Sequence, residues 1–190
     1  MAPSWDSGLF RAIHHGWHHP ALDPVMKALT DPGPWKYPLF ALAAGLFLRR
    51  GRRGAIALVT LALTVAASDQ LSSAILKPMF HRARPSVALA DTRPLFGVRR
   101  SFSFPSSHAT NFFAAAPIIG TVFPTAAVAY MGLAAAVSLS RIYVGDHYPS
   151  DVIAGVVLGI LVGLLGRIAF LRLDRSLPGR KDAEAPSGGP

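Results

Sequence analysis

Residues Ala109–Ser140 read ATNFFAAAPIIGTVFPTAAVAYMGLAAAVSLS, and no side chain among them is charged. Such a run fits hydrocarbon, where each backbone polar group must be satisfied within its own helix, so the chain is expected to be helical and embedded in a bilayer. Pro124 divides the run in two. Working outward, spans are expected at about 35–49, 54–77, 106–123, 125–141 and 150–171. Several offer only about 15 to 18 uncharged residues against the roughly 20 that cross a hydrocarbon core, which calls for some bilayer thinning. The expected fold is all-α, an integral membrane bundle of about five transmembrane helices with short interfacial helices at the N-terminus.

The composition agrees. Of 190 residues, 51% are hydrophobic and 15% charged, a balance that suits one compact membrane domain better than a soluble core. Cysteine is absent, so there is neither a disulfide framework nor a thiolate metal site. The net charge of +9 does not form an aromatic-interleaved basic face, which argues against nucleic acid as a partner. Lysines and arginines instead cluster between apolar segments, as topology signals and contacts for anionic lipid.

Before the first span, Leu9, Phe10, Ile13 and Trp17, then Leu22, Val25, Met26 and Leu29, recur at helical spacing. Two amphipathic helices follow from this, lying on the membrane surface or packed onto the bundle. The segment lacks the basic start and unbroken apolar core of a signal peptide. The chain thus divides into an interfacial segment (1–33), a transmembrane domain (34–172) and a disordered cytoplasmic tail (173–190). Arg49, Arg50, Arg52 and Arg53 crowd one loop, and Arg167, Arg172, Arg175, Arg180 and Lys181 follow the last span. The positive-inside rule sets both clusters in the cytoplasm of a cell whose inner (plasma) membrane holds the chain. Segments 78–105 and 142–149 then emerge on the extracytoplasmic face.

Against that rule, Lys77, His81, Arg82, Arg84, Arg93, Arg99 and Arg100 collect in the first outer segment. Cations retained there point to an anionic ligand. Three motifs border the outer segments: KPMFHRARP (Lys77–Pro85), PSSH (Pro105–His108) and SRIYVGDHYPSD (Ser140–Asp151). Phosphoryl transfer spreads negative charge over three oxygens, so its catalysis relies on positioned cations and N–H donors. Lys77, Arg84 and Arg141 supply cations. Ser106 and Ser107 open a helix after Pro105, where backbone N–H groups and the positive end of the helix dipole receive an oxyanion. His147 precedes a helix opened by Pro149, with Asp151 four residues on, within reach of one imidazole nitrogen while the other attacks phosphorus.

Together the motifs resemble the signature of the type 2 phosphatidic acid phosphatase superfamily, over about residues 20–170. That signature is a lysine, six residues and Arg-Pro; Pro-Ser-Gly-His; then Ser-Arg, five residues, His, three residues and Asp. Ser107 stands where the family most often has glycine. The resemblance implies a phosphatase working through a phosphohistidine at His147, oriented by Asp151. His108 then serves as the acid that protonates the leaving oxygen and later activates water. It implies binding of the substrate phosphate by Lys77, Arg84, Ser106, Ser107 and Arg141, with no metal and no cofactor.

A phosphorylated lipid is the implied substrate, undecaprenyl diphosphate being favoured over phosphatidylglycerophosphate or phosphatidic acid. An anion or lipid transporter and a vanadate-dependent haloperoxidase are more remote readings. Elsewhere, Asp69 lies on the Lys77 face of its helix and reads as structural, and Asp146 reads as a turn residue. His14, His15, His18 and His19 have the helical spacing of a zinc site, but the interfacial reading is preferred. Gly155, Gly159 and Gly163 form a small-residue stripe read as packing within the bundle, ahead of a homodimer contact.

Overall fold

The computed structural model describes residues 3–176, without the side chains of 32, 34–40, 42, 43, 46, 47, 49 and 50. The side chains of Arg49 and Arg50 therefore lie outside the described residues, as do Arg180, Lys181 and most of the expected tail. Among the described residues all regular elements are helical.

Two short helices come first, α1 (Ser4–His14) and α2 (Leu22–Thr30). Asp31 then starts α3 (Pro32–Gln70), its carboxylate accepting the Gly33 N–H at 2.9 Å with proline at the first helical position. α3 consists of two arms that meet at Gly51, whose φ of 50° and ψ of −131° suit only glycine. The second arm continues through a π-helical segment, Leu71–Leu76, into α4 (Lys77–Phe80), and α5 (Pro85–Ala88) follows. α6 (Ser107–Val122), α7 (Ala127–Tyr143) and α8 (Pro149–Ser176) complete the bundle.

The five expected spans correspond to the two arms of α3 and to α6, α7 and α8. Gly51–Ala88, Pro124–Tyr143 and Pro149–Ser176 are long and apolar enough to cross a membrane, with mean hydropathies of 1.5, 1.4 and 2.4. α6 has 16 residues, about 24 Å at 1.5 Å per residue. It sits between α3, α7 and α8 and buries Phe113, Ala114, Ala115, Ile118 and Ile119.

Its closest neighbour is α8, and the glycine stripe is the reason. A Cβ on Gly155 would stand 2.7 Å from the Ser106 carbonyl oxygen, and one on Gly163 2.5 Å from that of Ala114. One on Gly159 would run into the Thr110 carbonyl. Without side chains there, the α6 backbone lies directly on α8.

α8 also sets the long axis, its 28 residues spanning about 42 Å. Arg53 pairs with Asp174 at 3.1 Å, so the Gly51 bend and the end of α8 share one end of the bundle. The three motifs share the other.

α1 and α2 lie at the motif end, α2 on α7 and α1 on α7 and α8. Phe10 is buried with Ala109, Ile142, Tyr148 and Val152, while Trp5, Leu9, Trp17 and Val25 stay exposed. One apolar face thus packs on the bundle and the other is left for lipid. α1 stops at His14, so His18 and His19 are off the helix and the zinc-like spacing is not realised. The His14 ring nitrogens engage the Tyr143 carbonyl at 2.7 Å and the Arg93 N–H at 3.0 Å. His18 meets the Arg93 guanidinium, and His19 accepts the Ala21 N–H.

Candidate active site

The turn after α7 reverses the chain tightly. Gly145 has φ of 86°, and a Cβ there would lie 3.0 Å from Thr92 Cγ2 and 3.3 Å from His14 Cε1. Glycine is thus required both for the backbone and for the approach of α1 and the 89–95 loop. The N–H groups of Asp146 and His147 both return to the Arg141 carbonyl, at 3.1 and 3.2 Å. This hooks the imidazole back over the end of α7.

His147 is buried, with Nδ1 3.5 Å from Asp151 Oδ2 and Nε2 3.2 Å from an Arg84 nitrogen. Arg84 can only donate, so Nε2 accepts and Nδ1 carries the hydrogen, which is buried without a hydrogen-bond partner although Asp151 Oδ2 stands 3.5 Å away. Burial first, then the cations Arg84, Arg141 and Lys77 and the neighbouring His108, push His147 well below the usual imidazole range. The ring is therefore neutral, with its lone pair on Nε2.

Arg84 is fixed by the Ser101 carbonyl and hydroxyl at 2.9 and 3.0 Å and by the Asp146 carbonyl at 2.9 Å. Arg141 is 1% exposed. One of its terminal nitrogens meets Asp146 at 2.5 Å, while Nε and the other terminal nitrogen are buried without a hydrogen-bond partner. The two unspent donors lie on either side of the nitrogen held by Asp146, and each can donate to an anion's oxygen. Asp146 is accordingly more than a turn residue. It is 1% exposed and also stands 3.9 Å from Arg84 and 3.5 Å from Arg99, so it is the buried counter-charge of the arginine cluster.

At the start of α6 the two serines differ. The Ser106 N–H is donated to the Asp151 carbonyl at 3.0 Å, tying α6 to α8, so it does not serve as the oxyanion donor that the sequence suggested. The Ser106 hydroxyl is buried and unpartnered. The first-turn N–H groups beginning at Ser107 are beyond the reach of helical carbonyls and remain as the donors of this helix end. The Ser107 hydroxyl receives Lys77 Nζ at 2.8 Å and meets Ser72 and Ser73 at 3.1 and 3.0 Å. Both serines come from the π-helical segment, which brings their hydroxyls to the site. His108 donates Nε2–H to the Thr30 carbonyl at 3.1 Å, leaving Nδ1 to exchange a proton.

All eight residues singled out in the sequence thus gather at one end of the bundle. Those that the sequence did not reveal are Thr30, Ser72, Ser73, Ser101 and the ionic role of Asp146. Asp69 is in a polar cluster, accepting from Asn111 Nδ2 at 2.9 Å beside the Ser68–Asn111 contact of 2.7 Å.

Known proteins resemble this chain in sequence and fold. The PAP2 superfamily description matches residues 53–174. A lipid A 4'-phosphatase of Porphyromonas gingivalis is 31% identical over 165 residues, covering 83% of this chain and 70% of that protein. The crystal structure of Aquifex aeolicus LpxE aligns with a TM-score of 0.68 at 25% identity, over 86% of this chain and 95% of the other. That of a PAP2-type phosphatidylglycerolphosphate phosphatase from Bacillus subtilis aligns at 0.67 and 26% identity, over 93% and 88%. With its motifs, its helical bundle and these relatives in agreement, the chain belongs to the PAP2 superfamily as a membrane phosphatase.

Proposed function

We propose that the protein removes the terminal phosphate of a membrane lipid by two displacements at phosphorus. His147 Nε2 attacks, forming a nitrogen–phosphorus bond as the bond to the lipid oxygen breaks, and His108 gives that oxygen a proton. Asp151, 3.5 Å from Nδ1, takes up its proton in a hydrogen bond as the ring gains charge, and balances that charge. Water, deprotonated by His108, then attacks the phosphohistidine and releases inorganic phosphate. The unspent donors of buried Arg141, beside the Nε2 lone pair of His147, are the observation that carries this reading. Arg84 and Lys77 complete the cationic wall.

The relatives' names support a lipid A-type phosphomonoester as substrate, with phosphatidylglycerophosphate next. Undecaprenyl diphosphate is kept as a second reading because half-exposed Arg99 adds a cation beyond the buried pocket, where a second phosphate would lie. Phosphate release by purified protein across these lipids tests the choice. Arg99→Ala should raise KM for a diphosphate several-fold more than for a monophosphate. Equal effects would exclude the diphosphate reading.

Side-chain cations fill the role that a divalent ion often has in phosphoryl transfer. Activity should therefore persist in excess chelator, and vanadate should inhibit. Loss in chelator with recovery on adding magnesium or zinc would contradict this.

Because His147 is held below the ordinary imidazole range, its neutral form persists as pH falls through about 6.5, the unperturbed value. Phosphoenzyme formation from an activated aryl phosphate in a single turnover should stay within about threefold between roughly pH 7.5 and 5.5. A fall that follows an ordinary imidazole titration would contradict the assignment.

The site is proposed to face the extracytoplasmic side, supported by the arginines at the opposite end of the bundle. In intact cells a cysteine replacing Arg93 should react with a membrane-impermeant thiol reagent, and one replacing Arg52 should not. The reverse pattern would invert the topology.

A further inference from the structure

Asp6, in the first turn of α1, is fully buried at the catalytic end, a costly place for a carboxylate. It is fully engaged. Asp6 Oδ2 accepts from Arg82 at 2.5 Å and from the Ser150 hydroxyl at 2.5 Å, while Oδ1 accepts the Ser150 N–H at 2.9 Å. The other terminal nitrogen of Arg82 reaches Asp151 Oδ1 and the Ser150 hydroxyl, both at 2.6 Å. Its guanidinium lies over the Tyr148 ring, 4.3 Å from the centroid. One planar fork thus joins two fully buried carboxylates, only one of which faces the nucleophile.

We infer that Asp6 and Arg82 form a positioning relay for Asp151, which makes the N-terminal helix part of the catalytic apparatus. This inference rests on the phosphohistidine reading. A carboxylate turns easily about its terminal torsion; Asp151 Oδ2 accepts the Tyr148 N–H at 2.9 Å, and the buried Ser103 hydroxyl is a second neutral partner of the carboxylate. Arg82 on Oδ1 is the cationic anchor among these partners and sets the plane of the carboxylate, and so the direction from which Oδ2 faces His147 Nδ1, 3.5 Å away. Asp6 fixes Arg82 in turn.

Charge acts through the same contacts. With Asp6 neutral, Arg82 draws on Asp151 alone and weakens its hold on the imidazole. With Arg82 gone, two buried anions face one another and Asp151 loses its direction. Neither residue touches the substrate in this arrangement. The effect should fall on the nucleophile, not on binding or on departure of the leaving group.

The test is steady-state kinetics of Arg82→Gln, Arg82→Lys and the isosteric Asp6→Asn in full-length protein in detergent, with an alkyl and an aryl phosphate, and His147→Ala as control. kcat should fall about 10- to 100-fold in Arg82→Gln and about 10-fold in Asp6→Asn, as for supporting residues around other catalytic ligands. KM should stay within about threefold, and the loss should be the same for both substrates. Arg82→Lys should recover part of the rate. Should Arg82→Gln fail to fold, Asp6→Asn carries the test.

A merely structural tether would lower the melting temperature and leave kcat of the folded protein intact. With wild type active and His147→Ala inactive, kcat within twofold in the folded variants, or a loss carried by KM, overturns the relay alone. A wild-type chain without phosphatase activity overturns the relay and the reading beneath it.

Discussion

His147→Ala should abolish turnover of every substrate, whereas the damage in His108→Ala should depend on the leaving group. The two histidines are held differently. His147 has its lone pair on Nε2, where it accepts from Arg84, with its other nitrogen toward Asp151; the pair becomes free for phosphorus when Arg84 turns that N–H to a bound phosphate. His108 has Nε2 tied to a backbone carbonyl, which keeps the ring oriented and leaves Nδ1 to take up and return a proton.

Without His147 there is no covalent route, and no choice of leaving group restores it. Without His108, an alkyl lipid oxygen must leave unprotonated, and about 10²- to 10⁴-fold in rate should be lost. An activated aryl phosphate departs as a stable anion and should lose much less. Some defect should remain, because the same histidine activates water in the second step. Rescue of His147→Ala by the aryl substrate, with none for His108→Ala, would reverse the two roles.

Arg141→Ala should lower kcat by about 10²-fold or more, the usual effect of deleting one donor aimed at developing charge. Two of its buried nitrogens have no protein partner while the third holds Asp146, so its loss removes phosphate donors and also exposes Arg84 and Arg99 to an unshared Asp146. Arg84→Ala should cost a similar factor by a different route, since Arg84 also orients the Nε2 lone pair. Lysine at position 141 should rescue only in part. An ammonium has its donors on one atom and cannot reach both Asp146 and a phosphate from separate, fixed positions as the guanidinium nitrogens do. Full activity in Arg141→Lys would show that charge alone matters there and would remove the directed guanidinium donors from the account.

Much of this was legible in the sequence because two kinds of signal are local. Uncharged runs ended by Pro124 and by arginines mark helices that cross lipid, and the short motifs carry their chemistry at fixed spacing. The remainder depends on contacts that leave no local trace. Asp6 and Arg82 meet across 76 positions of chain. The partner of His108 is a backbone carbonyl, available at any residue and so invisible in the side-chain code.

Asp146 follows a glycine, as a turn residue would, and only the fold shows that the turn delivers it to Arg141. The same limit explains Ser106. A serine at a helix start is expected to leave its N–H open, but α8 approaches closely enough over Gly155 for the Asp151 carbonyl to take it. The Leu71–Leu76 segment has apolar and serine residues that an α-helix would accept equally well, so its wider winding was not foreseeable from composition.

The central claim is a covalent bond between phosphorus and His147. The direct measurement mixes purified wild-type protein with a phosphate-labelled aryl substrate, stops the reaction within one turnover in alkali, and locates the label by peptide mapping. The account predicts an alkali-stable, acid-labile phosphate on the peptide containing His147, absent in His147→Ala and accumulating in His108→Ala. Hydrolysis that passes through a full turnover with no labelled protein, or a label carried by His108, would contradict it.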